Sequence, residues 1–159
     1  MSNSDRRTII ICIGNELIAD DAVGFEIYNL LEERLSGSNV RLEYCSVGGI
    51  DLLPMLAGET DLIVVDAVEF GVIPGTVHVI PWDSLPHNSN AISSHGLGLR
   101  ETIEIGAILY PGTMPERINL VGIEGRCFNL TREYMTNEVH DAIGTAVLKI
   151  EELMKNNLL

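Results

Sequence analysis

TIIICIGNELIADDAVGFEIYNLL, running from Thr8 to Leu31, is the stretch that decides the fold. Ile9 to Ile13 is apolar at every position, without the alternation expected of a strand with one wet face, so Thr8–Ile13 reads as a strand buried on both faces. Gly14-Asn15 stops it. From Val23 the period changes: Val23, Ile27, Leu30 and Leu31 fall on one face of a helix, and Asp20 or Asp21 stands where a helix cap belongs. A doubly buried strand leading into an amphipathic helix is how a parallel α/β sheet begins.

The same reading extends outward. Ser36-Gly37-Ser38-Asn39 breaks the first helix, and Val40, Leu42 and Tyr44 alternate as a second strand that passes through Gly48-Gly49 into a second, shorter helix within Ile50 to Ala57. Leu62 to Val65 is a third buried strand closing on Asp66. Gly71 to Gly75 turns the chain into Thr76–Ile80, whose alternation marks an edge strand, expected to run antiparallel. Trp82 to Ser94 is polar and long for a plain connection, which suggests a mobile functional loop. Leu99, Ile103, Gly106 and Tyr110 give a third helix with His95 at its opening, and Ile118–Val121 gives a last buried strand. Val139, Ile143, Ala146, Val147, Ile150 and Met154 make the clearest helix of all. The expected architecture is a three-layer α/β/α domain over residues 7–156 with a mostly parallel sheet, preceded by a frayed segment at residues 1–6.

Composition narrows the function. At 159 residues and 46% apolar content, one core suffices. A net charge of -13 and a pI near 4.5 oppose the footprint needed to neutralise a phosphate backbone, so nucleic acid is an unfavoured partner. The first apolar run is too short for a signal-peptide core or a membrane span, which points to a cytoplasmic protein without membrane attachment. Cys12, Cys45 and Cys127 lie far apart and form no C-x-x-C pair, so reduced thiols are expected rather than disulfides or a zinc knuckle.

Gly14 follows the first strand, yet C-I-G-N-E-L matches neither dinucleotide nor P-loop phosphate cradles. There is no G-x-S-x-G elbow and no H-E-x-x-H, and no cysteine stands at a strand-to-helix turn with an evident histidine partner. What remains is convergence. Asn15, Glu16, Asp20 and Asp21 follow the first strand, Asp66 and Glu69 the third, His95 opens the third helix and Glu124 ends the last strand, all at the edge where open α/β sheets bind ligands. Two aspartates and a neutral imidazole, Asp21, Asp66 and His95, offer O, O and N donors suited to nickel or zinc, with coordination positions left open. Taken singly, Asp21 also reads as a helix cap and His95 as a hydrogen-bonding residue at a helix start. His78, His87 and His140 read as surface histidines.

The strings GNELIADDAVG (14–24), VVDAVEFGVIPGTV (64–77), SHGLGL (94–99) and LVGIE (120–124), in this order and spacing, resemble the hydrogenase maturation endopeptidases over about Thr8 to Leu153. That resemblance implies a five-stranded α/β/α sheet of phosphorylase/hydrolase-like type. It also implies removal of a C-terminal extension from the large-subunit precursor of a nickel-iron hydrogenase after nickel insertion. The metal-ligand role falls on Asp21, Asp66 and His95, with Glu16 a further catalytic candidate. Nickel arrives in the substrate, with zinc, cadmium or another divalent ion able to substitute in vitro. Ser46-Val47-Gly48-Gly49-Ile50 and Gly125 depart from the commonest family pattern at substrate-contact loops, and the segment Arg126–Tyr134 fits a subgroup serving coenzyme F420-reducing hydrogenases. The sequence also admits a non-catalytic chaperone that binds the nickel centre, and a general metal-dependent peptidase.

Overall fold

The computed structural model describes residues 6–36, 38–85, 87 and 98–156. Five strands, β1 (Thr8–Ile13), β2 (Arg41–Cys45), β3 (Asp61–Val68), β4 (Val77–Pro81) and β5 (Arg117–Glu124), join in one sheet in the order β2-β1-β3-β5-β4. All neighbours are parallel except β4, which pairs antiparallel with β5 at the edge. The helices are α1 (Val23–Arg34), α2 (Leu99–Leu109) and α3 (Asn137–Asn156).

Side-chain alternation explains why β1 is apolar throughout. Ile10 and Cys12 pack with Ile63, Val65, Val121 and Ile123 against α1 and α3. Ile9, Ile11 and Ile13 face the other way, with Leu62, Val64 and Leu120, against Leu52, Leu53, Leu99 and Ile103. Both faces are covered, which is the condition under which parallel strands lose their polar positions. Val139, Ala142, Ile143, Ala146, Val147 and Ile150 form the buried stripe of α3, as the helical spacing requires. Cys12 and Cys45 are buried, and all three cysteines are free thiols.

The shorter helix expected after Gly48 is present as a 3-10 helix, Gly49–Met55, where the Pro54 ring would crowd the carbonyl four residues back in an α-helix. Two local expectations need correction. β3 does not close on Asp66: Ala67 and Val68 stay in register with Ile123 and Glu124 of β5, so Asp66 lies inside the strand. α2 buries Leu99, Ile103 and Gly106, whereas Tyr110 is its exposed C-terminal cap. Of the polar stretch after β4, Trp82–Ser84 forms a 3-10 turn, while residues 88–97 lie outside the described residues.

At the amino-terminal side of the sheet an ion pair between the half-exposed Arg41 and the buried Glu59 is open to a direct test. Glu59 accepts from the Ala57 amide at 2.7 Å and pairs with the Arg41 guanidinium. Burial alone would push its carboxyl up, but the amides of Ala57 and Glu59 and the Arg41 charge outweigh it and hold the group below its ordinary 4.5. A depressed folded-state value stabilises the fold above the unfolded value and loses that contribution as pH falls through the folded one. Glu59→Gln is therefore expected to lower stability at pH 7 and to flatten the loss of stability below about pH 4.5. Denaturant melts of both proteins across that window check it.

Candidate active site

The turn between β1 and α1 is shaped by two glycines. Gly14 sits at φ 149°, and a Cβ there would strike the backbone carbonyl of Asp21. A Cβ on Gly24 would strike the carbonyl oxygen of Ile13. Strand end, turn and helix start are thus in backbone contact, and the intervening residues are held against the carboxyl end of the sheet. Asp21 is 2% exposed within a 3-10 turn, Asp20–Ala22, and its Oδ2 accepts the Asn15 amide at 2.8 Å. It is not a helix cap: α1 is capped at Ala22 with no side-chain bond, and the 3-10 turn at Ala19 likewise. Its carboxylate instead faces back toward the strand end, where a ligand site in such a sheet belongs.

Asp66 is 5% exposed. Leu62, Val64 and Val68 pack toward α2, so by strand alternation Asp66 points to the same face. It lies one residue beyond the Cys12–Val65 pair, level with the end of β1, and opposite Gly122 of β5. The Asp20–Ala22 turn packs against β3, bringing the segments that carry Asp21 and Asp66 together. Burial, with the charges of Asp51 and Asp66, pushes the Cys45 thiol up, against a backbone hydrogen bond from Val47, which lowers it. Cys45 is therefore a neutral thiol donating to the Val47 carbonyl at 2.5 Å, not a thiolate nucleophile.

Glu16 is half-buried in the same turn. Tyr44 fixes it from β2, its hydroxyl donating to the Gly14 carbonyl at 2.6 Å and its ring set edge-on to Phe25. Burial raises the phenol above its ordinary value; the Glu16 amide opposes this, while the Glu16 and Asp21 charges add to it, so Tyr44 stays a donor at neutral pH. His95 lies outside the described residues, and described α2 begins at Leu99 after Gly98. Among the described residues no group of three or more His, Cys, Asp or Glu forms a metal-holding cluster. Two of the three expected ligands are described, Asp21 in the turn after β1 and Asp66 in the neighbouring β3, both nearly inaccessible to water. A buried carboxylate is relieved of its charge by a cation, a proton or hydrogen-bond donors.

Two acidic residues grouped with the site turn out to hold its loops. Asp20, fully buried, accepts the amides of Arg126 and Cys127 at 2.9 Å and of Thr136 at 2.7 Å, with the Thr136 hydroxyl at 3.2 Å. Glu124 accepts the amides of Phe70, Gly71 and Val72 and lies 3.3 Å from His78 Nε2. His78 is consequently not a plain surface histidine; it is half-buried and edge-on to Phe70. Glu69, by contrast, is exposed. Nothing in the sequence separates a carboxylate that ligates from one that gathers amides, since both end buried strands or open turns.

Comparison with known proteins narrows the chemistry. A model of the hydrogenase maturation protease family matches residues 25–153, a span containing Asp66 and His95 and beginning just after Asp21. The hydrogenase expression/formation protein HupM of Azotobacter chroococcum mcd 1 is 34% identical over 127 residues, covering 78% of this chain and 60% of the relative. The hydrogenase 2 maturation protease of Escherichia coli K12 is 32% identical over 120 residues, covering 74% of this chain and 72% of the relative. Against the HupM and HupD relatives the chain spans 55 to 65% of their length. In fold, the hydrogenase maturating endopeptidase HybD from E. coli superposes with a TM-score of 0.76 at 24% identity, covering 94% of this chain and 93% of that one. The [NiFe] hydrogenase maturation protease HybD from Thermococcus kodakarensis gives 0.72 at 23% identity, over 92% and 98%. The mostly parallel sheet with a single antiparallel edge strand is the fold of these proteins.

Proposed function

The chain belongs to the hydrogenase maturation protease family, and from that premise we propose that it is an endopeptidase that cuts the C-terminal extension from a nickel-iron hydrogenase large-subunit precursor in the cytoplasm. The observation that carries the reading is the pair of buried carboxylates, Asp21 in the turn that follows β1 and Asp66 near the end of the neighbouring β3. Together with His95 they engage nickel already held by the precursor, whose metal is thus part of the substrate; zinc or cadmium can stand in for it in vitro. Oxygen and imidazole donors with open positions suit such a borderline ion.

Chemistry follows from positioning. Fixing the metal centre fixes the peptide next to it, and pre-paid orientation is worth about 7 kcal/mol or more in favourable cases. Water then attacks the scissile carbonyl, with a carboxylate taking its proton; Asp21, Asp66 and Glu16 are the candidates, in that order. Direct attack by water fits the neutral, hydrogen-bonded state of Cys45 at the end of β2. The segment from Arg126 to Tyr134 is where coenzyme F420-reducing specificity would reside.

The test is mass. Incubation of the full chain with a nickel-loaded large-subunit precursor from the organism that encodes it is expected to shorten the precursor at its C-terminus and to leave unrelated peptides whole. A precursor bound but undiminished in mass would make the chain an assembly chaperone instead; cleavage of unrelated peptides would make it a general peptidase.

A further inference from the structure

The Gly14–Asn15 peptide group, just past the end of β1, is gripped at both of its polar atoms. Its carbonyl oxygen accepts the Tyr44 hydroxyl at 2.6 Å, and its N–H donates to Asp21 Oδ2 at 2.8 Å. A peptide group is planar, so fixing the direction of the C=O fixes that of the N–H as well. Donation to the oxygen also polarises the group and makes its N–H a stronger donor to a carboxylate. The bonds inside the turn start one residue later: Asn15 Oδ1 accepts the Leu17 amide at 2.9 Å, and the Asn15 carbonyl accepts the Ile18 amide at 3.1 Å. They close the turn beyond Asn15, whereas the plane of the Gly14–Asn15 peptide is set by rotation about Gly14 and by its own two partners. Gly14, at φ 149°, is the residue type that lets a neighbouring peptide turn over most easily. Turned over, that peptide would aim its carbonyl oxygen at the Asp21 carboxylate. Tyr44 lies on β2 in register with Cys12 of β1, its ring edge-on to Phe25 at 5.2 Å and tilted against Tyr28 at 5.8 Å, so its hydroxyl is delivered by a fixed frame.

We propose that Tyr44 is a positioning residue for the cleavage reaction: by holding the Gly14 carbonyl it locks the peptide whose N–H orients the Asp21 carboxylate. This rests on the reading of Asp21 as a residue that engages the precursor's metal. Tyr44 acts at one remove, through a single peptide group, and a misdirected carboxylate is a loss of orientation. Such a loss shows in kcat rather than in affinity for a large protein substrate.

The experiment compares the full chain, Tyr44→Phe, Asp21→Asn and the double variant on the nickel-loaded precursor, and follows hydrogen exchange at the Asn15 amide. Phenylalanine keeps the ring against Phe25 and Tyr28 and removes only the hydroxyl. Tyr44→Phe is expected to lower kcat about tenfold with KM held within about threefold, and to speed exchange at Asn15 about tenfold or more without speeding it along β1. In the Asp21→Asn background the same change costs less than about twofold, because the charge it orients is already gone; a merely structural role would cost as much in both backgrounds. Unchanged kcat or unchanged Asn15 exchange in Tyr44→Phe, or equal losses in the two backgrounds, overturns the lock. Should Tyr44→Phe fail to fold, the wild type decides: an Asn15 amide as protected as those of β1 upholds the lock, and one that exchanges freely overturns it. Undiminished cleavage by Asp21→Asn, with Asn15 exchange still quickened in Tyr44→Phe, leaves the lock in place and removes the reading of Asp21 on which its part in cleavage rests.

Discussion

Asp21→Asn and Asp66→Asn are each expected to lower turnover of the nickel-loaded precursor by about a thousandfold or more while leaving the fold intact. The amide is nearly the same size as the carboxylate, and in Asp21 its oxygen can still accept the Asn15 amide, so the turn is retained. On the proposed mechanism, what is lost is the negative charge that would engage the substrate's metal and set the scissile peptide against the attacking water. His95→Ala should fall into the same class. Circular dichroism and melting separate folding from chemistry, and precursor mass reports turnover. Undiminished cleavage in any one of the three removes that residue from the mechanism. The contrast with Asp20 is instructive, because neighbouring aspartates in one turn carry different consequences: Asp20 gathers amides and sets loop shape, whereas Asp21 faces the strand end.

Gly24→Ala is expected to destabilise the fold by about 2–3 kcal/mol, the reverse of what a glycine-to-alanine change does inside an ordinary helix. Alanine there would lower the helix's entropic cost, a gain of up to about 1 kcal/mol. That gain is overtaken because the added methyl meets the Ile13 carbonyl oxygen, a backbone atom at the end of the doubly buried β1 that cannot swing aside. Gly144 in α3 is the internal control: exposed, helical and with nothing near its Cβ position, it should gain about 0.5–1 kcal/mol on the same substitution. Denaturant melts of the two variants should move in opposite directions. If Gly24→Ala matches Gly144→Ala, then α1 does not press on β1 as described, and the placement of the Asp21 turn loses its basis.

These effects also explain how much could be read in advance. The sheet was legible because burial on both faces removes polar residues from whole strands, as in Ile9–Ile13, and because Thr76–Ile80 alternates as only a half-covered edge does. α3 was legible from its stripe. The 3-10 form of the helix at Gly49–Met55 was not, since Leu52 and Leu53 are spaced as well for one short helix as for another, and Pro54 acts only through its ring. β3 was read two residues short because Asp66 looks like a strand end, while the ladder with β5 carries it on to Val68. Within the site, Asp21 and Asp66 could be found as carboxylates where sheets bind ligands. The distinct parts played by Asp20 and Glu124 could not, because their partners are backbone amides up to 116 residues away, and an amide leaves no mark on sequence.

The central claim is that metal in the substrate, read by Asp21, Asp66 and His95, licenses the cut. The most direct measurement compares one large-subunit precursor in nickel-loaded and metal-free forms, incubated side by side with the wild-type chain and followed by intact mass. Loss of the C-terminal extension from the loaded form alone is the predicted result; equal processing of the metal-free form would contradict it.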